Sequence, residues 1–323
     1  MPEGRSSNGE ETNKQSKRRP PPVVVVPANW KSCFREDLFR GKVALVTGGG
    51  TGIGRSIATE LALLGATVVI ASRKHETCAA AAREINGFLA ANSNAGKSGG
   101  RVVAGPSTNI RKEEEIRNLV GTTIENHGSL DLLVCNSGGQ FIQETAEISS
   151  RGFSAVTDTN LRGTFLCMRE AYNQHMRDHG GSIVNITLIN RNGLPMMAHS
   201  AAARAGVENL VASLSTEWIE SDVRVNCVRP GIIFTDSGFE NYGPAGDYFL
   251  ERMNRSLPAR RLGSPQEVSS AVTWLLSEGA SYVTGVTLCV DGAGSYIGLP
   301  MVDTEDTAHL LPVYGSLPPI ARL

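Results

Sequence analysis

The chain has 323 residues, 41% of them hydrophobic, and a formal net charge of −1, enough for one large α/β domain with extensions at its ends. The near-neutral balance excludes nucleic acid as the main partner, and no apolar run approaches the roughly eighteen residues a membrane span needs. Its six cysteines are scattered, without CxxC pairs or ligand-like spacing to histidine, so reduced thiols are expected and no metal site is.

In chain order, residues 1–30 are polar and proline-rich, with a Lys17-Arg-Arg-Pro-Pro-Pro22 run, and are expected to be a disordered extension. The fold proper is expected over 34–295. Val43 to Val46 reads as a short buried strand, and the glycines Gly48, Gly52 and Gly54 follow it. Arg55 to Leu64 then carries apolar residues at helical spacing, and Ala66 to Ala71 forms a second strand. A strand, a glycine-rich turn and a helix N-terminus in this order form a pyrophosphate cradle. The residues placed to build it are Gly48, Thr51, Gly52, Ile53 and Gly54. An acid at the tip of the second strand would hold the ribose hydroxyls of NAD. This chain has Ser72, Arg73 and Lys74 there, which suit the additional 2′-phosphate of NADPH.

Further along, strands are expected at 101–104, 130–134, 181–186, 223–228 and 287–291, and helices at 113–127, 163–179, 201–220 and 267–276. That alternation implies one Rossmann-type α/β domain. Its doubly wound parallel sheet would have about seven strands, with helices on both faces. Beyond Gly292 the chain turns loop-like. It ends in a 296–323 extension closing on Ala321-Arg-Leu323, a small–basic–leucine tail of the kind read by a peroxisomal import receptor.

Four stretches in their order carry a family resemblance. They are Thr47 to Gly54, Asn136 to Gly139, Thr159 to Leu161 and Arg229 to Gly231. Together they resemble the short-chain dehydrogenase/reductases over about 41–292. The resemblance implies a nicotinamide cofactor at the C-terminal edge of the sheet and a homo-oligomer, tetramer or dimer. By it Asn109 would hold the adenine edge, and Asn136 and Gly138 would line the adenosine ribose. Pro230, Gly231, Ile233 and Thr235 would flank the nicotinamide, and residues 232–262 would form a substrate lid. Asn160 falls on the family's helix-kink asparagine.

One departure is decisive for chemistry. Where the family places a tyrosine and, four residues on, a lysine, this chain has Ser200 and Arg204. The family's preceding serine falls on Thr187 or Leu188. Without the phenol, ordinary alcohol/ketone exchange loses its usual acid. The chain is similar instead to the branch of the family that reduces carbon–carbon double bonds of acyl-CoA thioesters. NADPH-dependent reduction of trans-2-enoyl-CoA in the peroxisome is the expectation. The alternatives are 2,4-dienoyl-CoA reduction and a non-catalytic NADP-binding protein, with the cytoplasm as the alternative location. Arg204 would hold the nicotinamide ribose and supply positive potential. Thr187, His199 and Ser200 are candidate donors to the thioester oxygen, although His199 and Ser200 at a helix start could equally be capping or packing residues. Tyr242 is a candidate acid, and Arg252, Arg255, Arg260 and Arg261 are basic residues available to CoA phosphates.

Overall fold

The computed structural model describes residues 34–91, 99–235 and 256–297. Seven parallel strands form one sheet in the order β3-β2-β1-β4-β5-β6-β7. They are β1 (Val43–Thr47), β2 (Thr67–Ala71), β3 (Arg101–Ala104), β4 (Leu132–Cys135), β5 (Gly181–Ile186), β6 (Val223–Pro230) and β7 (Thr287–Val290). Each side chain's face follows from the two-residue period of a strand. Ala44 and Val46 of β1, Leu132 and Val134 of β4, and Val184 and Ile186 of β5 enter one core. Leu45, Leu133, Cys135 and Ile183 enter the other. Central strands buried on both faces read as continuous apolar runs, which is why the sequence shows them without polar alternation.

Helices close both faces. The first core is covered by α1 (Gly52–Leu63), α2 (His75–Ala91) and, from the far end of the chain, Pro265–Leu276. The second is covered by α3 (Glu113–His127), by a long interrupted helix, and by Ala198–Glu217. The interrupted helix comprises α4 (Ser150–Thr157), a π-helical turn at Asp158–Arg162, α5 (Gly163–Ala171), a second π turn at Tyr172–Met176, and α6 (Arg177–His179). The last helices are α7 (Ala198–Glu217), α8 (Pro265–Leu276) and α9 (Gly294–Ile297).

Several expected boundaries move. The helix expected at 163–179 begins at Ser150, because the Ser149 hydroxyl accepts from Gly152 N and caps a turn hidden in a polar sequence. Helix α2, carrying Cys78, Ala81, Ala82, Ile85 and Leu89 into the core, fills a span without a sequence assignment. Helix α7 starts at Ala198 rather than 201, which puts His199 and Ser200 inside its first turn. Neither is its N-cap, since Met197 holds that place. Strand β4 runs two residues C-terminal to the start expected, and α1 opens at Gly52 rather than Arg55.

The chain winds β1-β2-β3 to one side and then crosses to β4 on the other. The crevice at such a reversal, beyond the C-terminal ends of β1 and β4, is where doubly wound sheets take ligands. Cys78, Cys135, Cys167 and Cys227 are buried free thiols and Cys289 is an exposed one. Among the described residues no group of His, Cys, Asp or Glu is arranged to hold a metal. Nor is any helix there long and apolar enough to cross a membrane. The extension 1–30, the tail Ala321-Arg-Leu323, Tyr242, Arg252 and Arg255 lie outside the described residues.

Candidate active site and dinucleotide cradle

The turn after β1 is shaped for close approach. Gly48 and Gly52 have φ of +69° and +52°, the left-handed region that glycine alone enters without strain. A Cβ at Gly54 would collide with Asn136 Nδ2 and with Gly48 O, so this turn has no room for a side chain. Helix α1 starts from Thr51 without a side-chain cap and without an acid in its first turn. Its first N–H groups therefore keep their donors for an anion. Ile53 contributes apolar packing on the core side. At the tip of β2, Arg73 and Lys74 are exposed and neither is ion-paired among the described residues. The Ser72 hydroxyl donates to Lys74 O at 3.1 Å and so shapes this tip. A glycine cradle without room for side chains, an uncapped helix start and two cations without ion pairs among the described residues fit a dinucleotide with an extra phosphate.

Asn136 ties the ends of two strands together. Its Nδ2 donates to Thr47 O at 3.1 Å and Gly48 O at 3.3 Å, while Thr47 Oγ1 accepts from the backbone of Asn136 and Ser137. The side chain thus stitches β1 to β4. Asn109, after β3, accepts from Arg111 N at 3.1 Å, and its own N–H donates to Glu115 at 2.7 Å. On the far side of the crevice, Pro230 ends β6, Gly231 N donates to Val290 O at 2.9 Å, Ile233 bridges to Gly263, and Thr235 is buried.

The crevice floor is polar and tightly joined. Asn160, in the first π turn, accepts from Gly139 N and donates to Gly139 O, both at 2.9 Å. Its Nδ2 also reaches Ser200 Oγ at 3.3 Å, and Ser200 donates to Gln140 Oε1 at 2.9 Å. One turn on from Ser200, Arg204 Nη1 donates to Ile186 O at 2.7 Å, and Nη2 lies 3.5 Å from Ser137 O. The guanidinium is buried, 6% exposed, beneath Gly138, whose missing side chain is all that makes room for it. Burial lowers the Arg204 pKa to about 10, opposed by the thiols of Cys227 and Cys135. It therefore remains a cation at neutral pH.

Two candidates stand differently. Thr187 commits its single hydroxyl proton to Glu208 at 2.9 Å, with Val228 O at 3.3 Å. Glu208 in turn pairs with Arg229, whose Nε donates to it at 2.9 Å. Thr187 therefore belongs to a framework chain and has no proton left for substrate, which corrects the expectation of a donor there. His199 is fully buried, its ring edge-on to Phe141 at 4.4 Å between centroids. Neither ring nitrogen has a hydrogen-bond partner among the described residues. Burial pushes its pKa down, which favours the neutral ring. Beside it, Leu194, Met197 and Ala201 form a small apolar cluster with Ile142 and Leu188. Arg261 is bound to Glu267 at 2.6 and 2.9 Å, a structural tie that removes it from the candidates for phosphate. Gln140 and Glu208, absent from the sequence-based set, join the site only through partners 60 and 21 residues away.

A glycine cradle at the sheet's switch point and a polar floor in the tyrosine–lysine position define a nicotinamide-dependent oxidoreductase of the extended Rossmann type. The chain belongs to the short-chain dehydrogenase/reductase family: a family model described as Enoyl-(Acyl carrier protein) reductase matches residues 48–294. It is 32% identical over 278 residues to a peroxisomal 2,4-dienoyl-CoA reductase of Saccharomyces cerevisiae, covering 85% of this chain and 91% of that one. A peroxisomal 2,4-dienoyl-CoA reductase of Danio rerio is 34% identical, with 88% and 89% covered. Among solved structures, the citronellol catabolism dehydrogenase AtuB of Pseudomonas aeruginosa PAO1 superposes with a TM-score of 0.70 at 41% identity, over 82% of this chain and all of the other. The protein is an oxidoreductase acting on a CH–CH group.

Proposed function

We propose that the protein reduces the 2,3 double bond of trans-2-enoyl-CoA with NADPH, in the peroxisome. The observation that carries this reading is the Ser200–Arg204 pair. It puts a buried permanent cation and a hydroxyl in the positions where an alcohol dehydrogenase of this fold needs a titrating phenol. Reduction of a carbon–carbon bond conjugated to a thioester has no alcohol oxygen to protonate. Its demand is stabilisation of negative charge on the thioester oxygen.

Gly48 to Gly54 and the α1 N-terminus would hold the cofactor pyrophosphate, Arg73 and Lys74 its 2′-phosphate, and Pro230, Gly231, Ile233 and Thr235 its nicotinamide end. A reduced nicotinamide held there would supply the hydride that C3 requires. The charge that moves to the thioester oxygen meets the Ser200 hydroxyl, which turns to it from Gln140, and the positive potential of Arg204 beneath Gly138. His199, neutral and without a hydrogen-bond partner among the described residues, offers an N–H donor to the same oxygen. A neutral imidazole polarises a carbonyl without acting as an acid, so the proton at C2 comes from water. The apolar cluster of Leu188, Leu194 and Met197 walls the acyl chain. Occupation of the cradle by NADPH, a homo-oligomeric state and import through the Ala321-Arg-Leu323 tail belong to this proposal.

A second reading, reduction of 2,4-dienoyl-CoA, draws support from the relatives in yeast and zebrafish, which are named as reductases of that substrate. In it the hydride would be required at C5, and the charge would still collect on the thioester oxygen. NADPH oxidation with trans-2-enoyl-CoA and trans,trans-2,4-dienoyl-CoA in parallel, with product analysis, decides between them. Turnover of the monoenoyl thioester to the saturated one is the expected result. Turnover of the dienoyl substrate alone moves the assignment to the second reading. NADPH binding without turnover of either overturns both.

A further inference from the structure

The loop from Thr187 to Met197, between β5 and α7, has two different sides. Leu188, Leu194 and Met197 pack into the apolar cluster beside His199, while Arg191, Asn192 and Gly193 at its tip are exposed. The tip is held by the end of the chain's described fold. Asn192 Nδ2 donates to Ser295 O at 2.8 Å, and the Arg191 guanidinium lies over the Tyr296 ring, 4.8 Å from its centroid. Asp291 in turn fixes α9 by accepting from Ala293 N and Ser295 N, each at 3.0 Å. A ring under a guanidinium restrains it without neutralising it, and among the described residues no carboxylate pairs with Arg191. Arg260 is engaged elsewhere and Arg261 is committed to Glu267. Arg191 is thus an oriented cation, without a carboxylate partner among the described residues, on the loop that begins at the C-terminal end of β5, at the same sheet edge as the cradle.

We propose that Arg191, held over Tyr296 at the rim of the apolar loop, binds the phosphate groups of the substrate's CoA carrier. This rests on the acyl-CoA reading of the site. A thioester whose acyl chain lies against Leu188, Leu194 and Met197 leaves its carrier at the loop's outer edge. There a planar guanidinium forms paired, charge-assisted bonds to phosphate oxygens. The carrier's phosphates would then be recognised by a face built jointly from the β5–α7 loop and α9, which gives α9 a role in substrate binding.

The test compares thioesters of one acyl chain carried by CoA or by pantetheine, which has no phosphate. With R191Q the KM for the enoyl-CoA rises about tenfold, the equivalent of roughly 1.4 kcal/mol, with kcat unchanged, and the KM for the enoyl-pantetheine does not move. The effect shrinks as salt rises, as it must for an exposed cation, and R191K recovers part of it. Binding of free CoA to the NADP-loaded protein, followed by calorimetry, weakens by the same factor. Equal losses on both carriers, or no loss on either, overturn the assignment. The calorimetric arm involves no chemistry. Arg191-dependent CoA binding without turnover would therefore sustain this inference while refuting the reductase.

Discussion

Gly138→Ala probes the floor of the site most directly. A Cβ there would overlap Arg204 Nη2 and stand 3.3 Å from Cζ and 3.2 Å from Asn160 Oδ1. Asn160 cannot yield, because both ends of its amide are held by Gly139. The guanidinium must move instead, giving up its bond to Ile186 O. A buried charged group left without such a bond costs about 1.5–3 kcal/mol. For domains of this kind each kcal/mol lowers Tm by about 2–4 °C, so the loss should be roughly 3–12 °C. The assay is a double-mutant cycle by urea unfolding of the cofactor-free protein, combining Gly138→Ala with Arg204→Ala. In the Arg204→Ala background the added methyl enters vacated space and should cost almost nothing, leaving a coupling energy of about 1.5–3 kcal/mol. Additive behaviour would refute the claim that Arg204 lies under Gly138. Loss of turnover in Gly138→Ala with stability intact would refute it as well.

R73Q combined with K74Q should weaken NADPH binding about 10- to 100-fold while leaving NADH unchanged, measured by fluorescence titration; equal losses on both cofactors would count against a phosphate site. E208Q leaves Arg229 without its carboxylate in a pair only 14–15% exposed, and should destabilise by on the order of 3 kcal/mol in urea unfolding. T187V, which removes only a hydroxyl donor to that carboxylate, should cost about 1 kcal/mol and leave kcat nearly intact. The hydrogen bond from Arg261 draws the Glu267 pKa down to about 2, against the opposing effect of burial, with the Ser264 backbone assisting. A carboxyl depressed in the folded state contributes stability above its unfolded pKa of about 4.3 and loses it as pH falls toward 2. The urea midpoint should therefore drop between those values in the wild type and drop less in R261Q.

The strands were legible because β1, β4, β5 and β6 are buried on both faces and read as unbroken apolar runs. The glycine turn was legible because its spacing is local. Helix α2 is not legible because its inward residues are mostly small, Cys78, Ala81 and Ala82, and contribute little amphipathic contrast. Nor is helix α4, because a serine cap and a glycine resemble a loop. At the site, Arg204 was placed by its separation from Ser200, but its role as a strut under Gly138 was not, because that depends on β4 and α7 meeting in space. Thr187 looks like a free donor in the sequence because its acceptor, Glu208, lies on another element. The sequence marks which groups are present, while their partners across the sheet decide which protons remain free.

Asn160 faces Gly139 as a peptide group would, one atom accepting and the other donating, with Ser200 as a third neighbour. An aspartate of the same shape would turn an acceptor toward the Gly139 carbonyl, and a glutamine would overreach, so the choice of amide is set by backbone pairing. The π turn that aims it spends helical regularity for that one join. A descendant of this chain that had abandoned catalysis would still need the amide to keep its β4 loop in place. In this chain the amide's geometry is thus accounted for by the join between the β4 loop and the π turn.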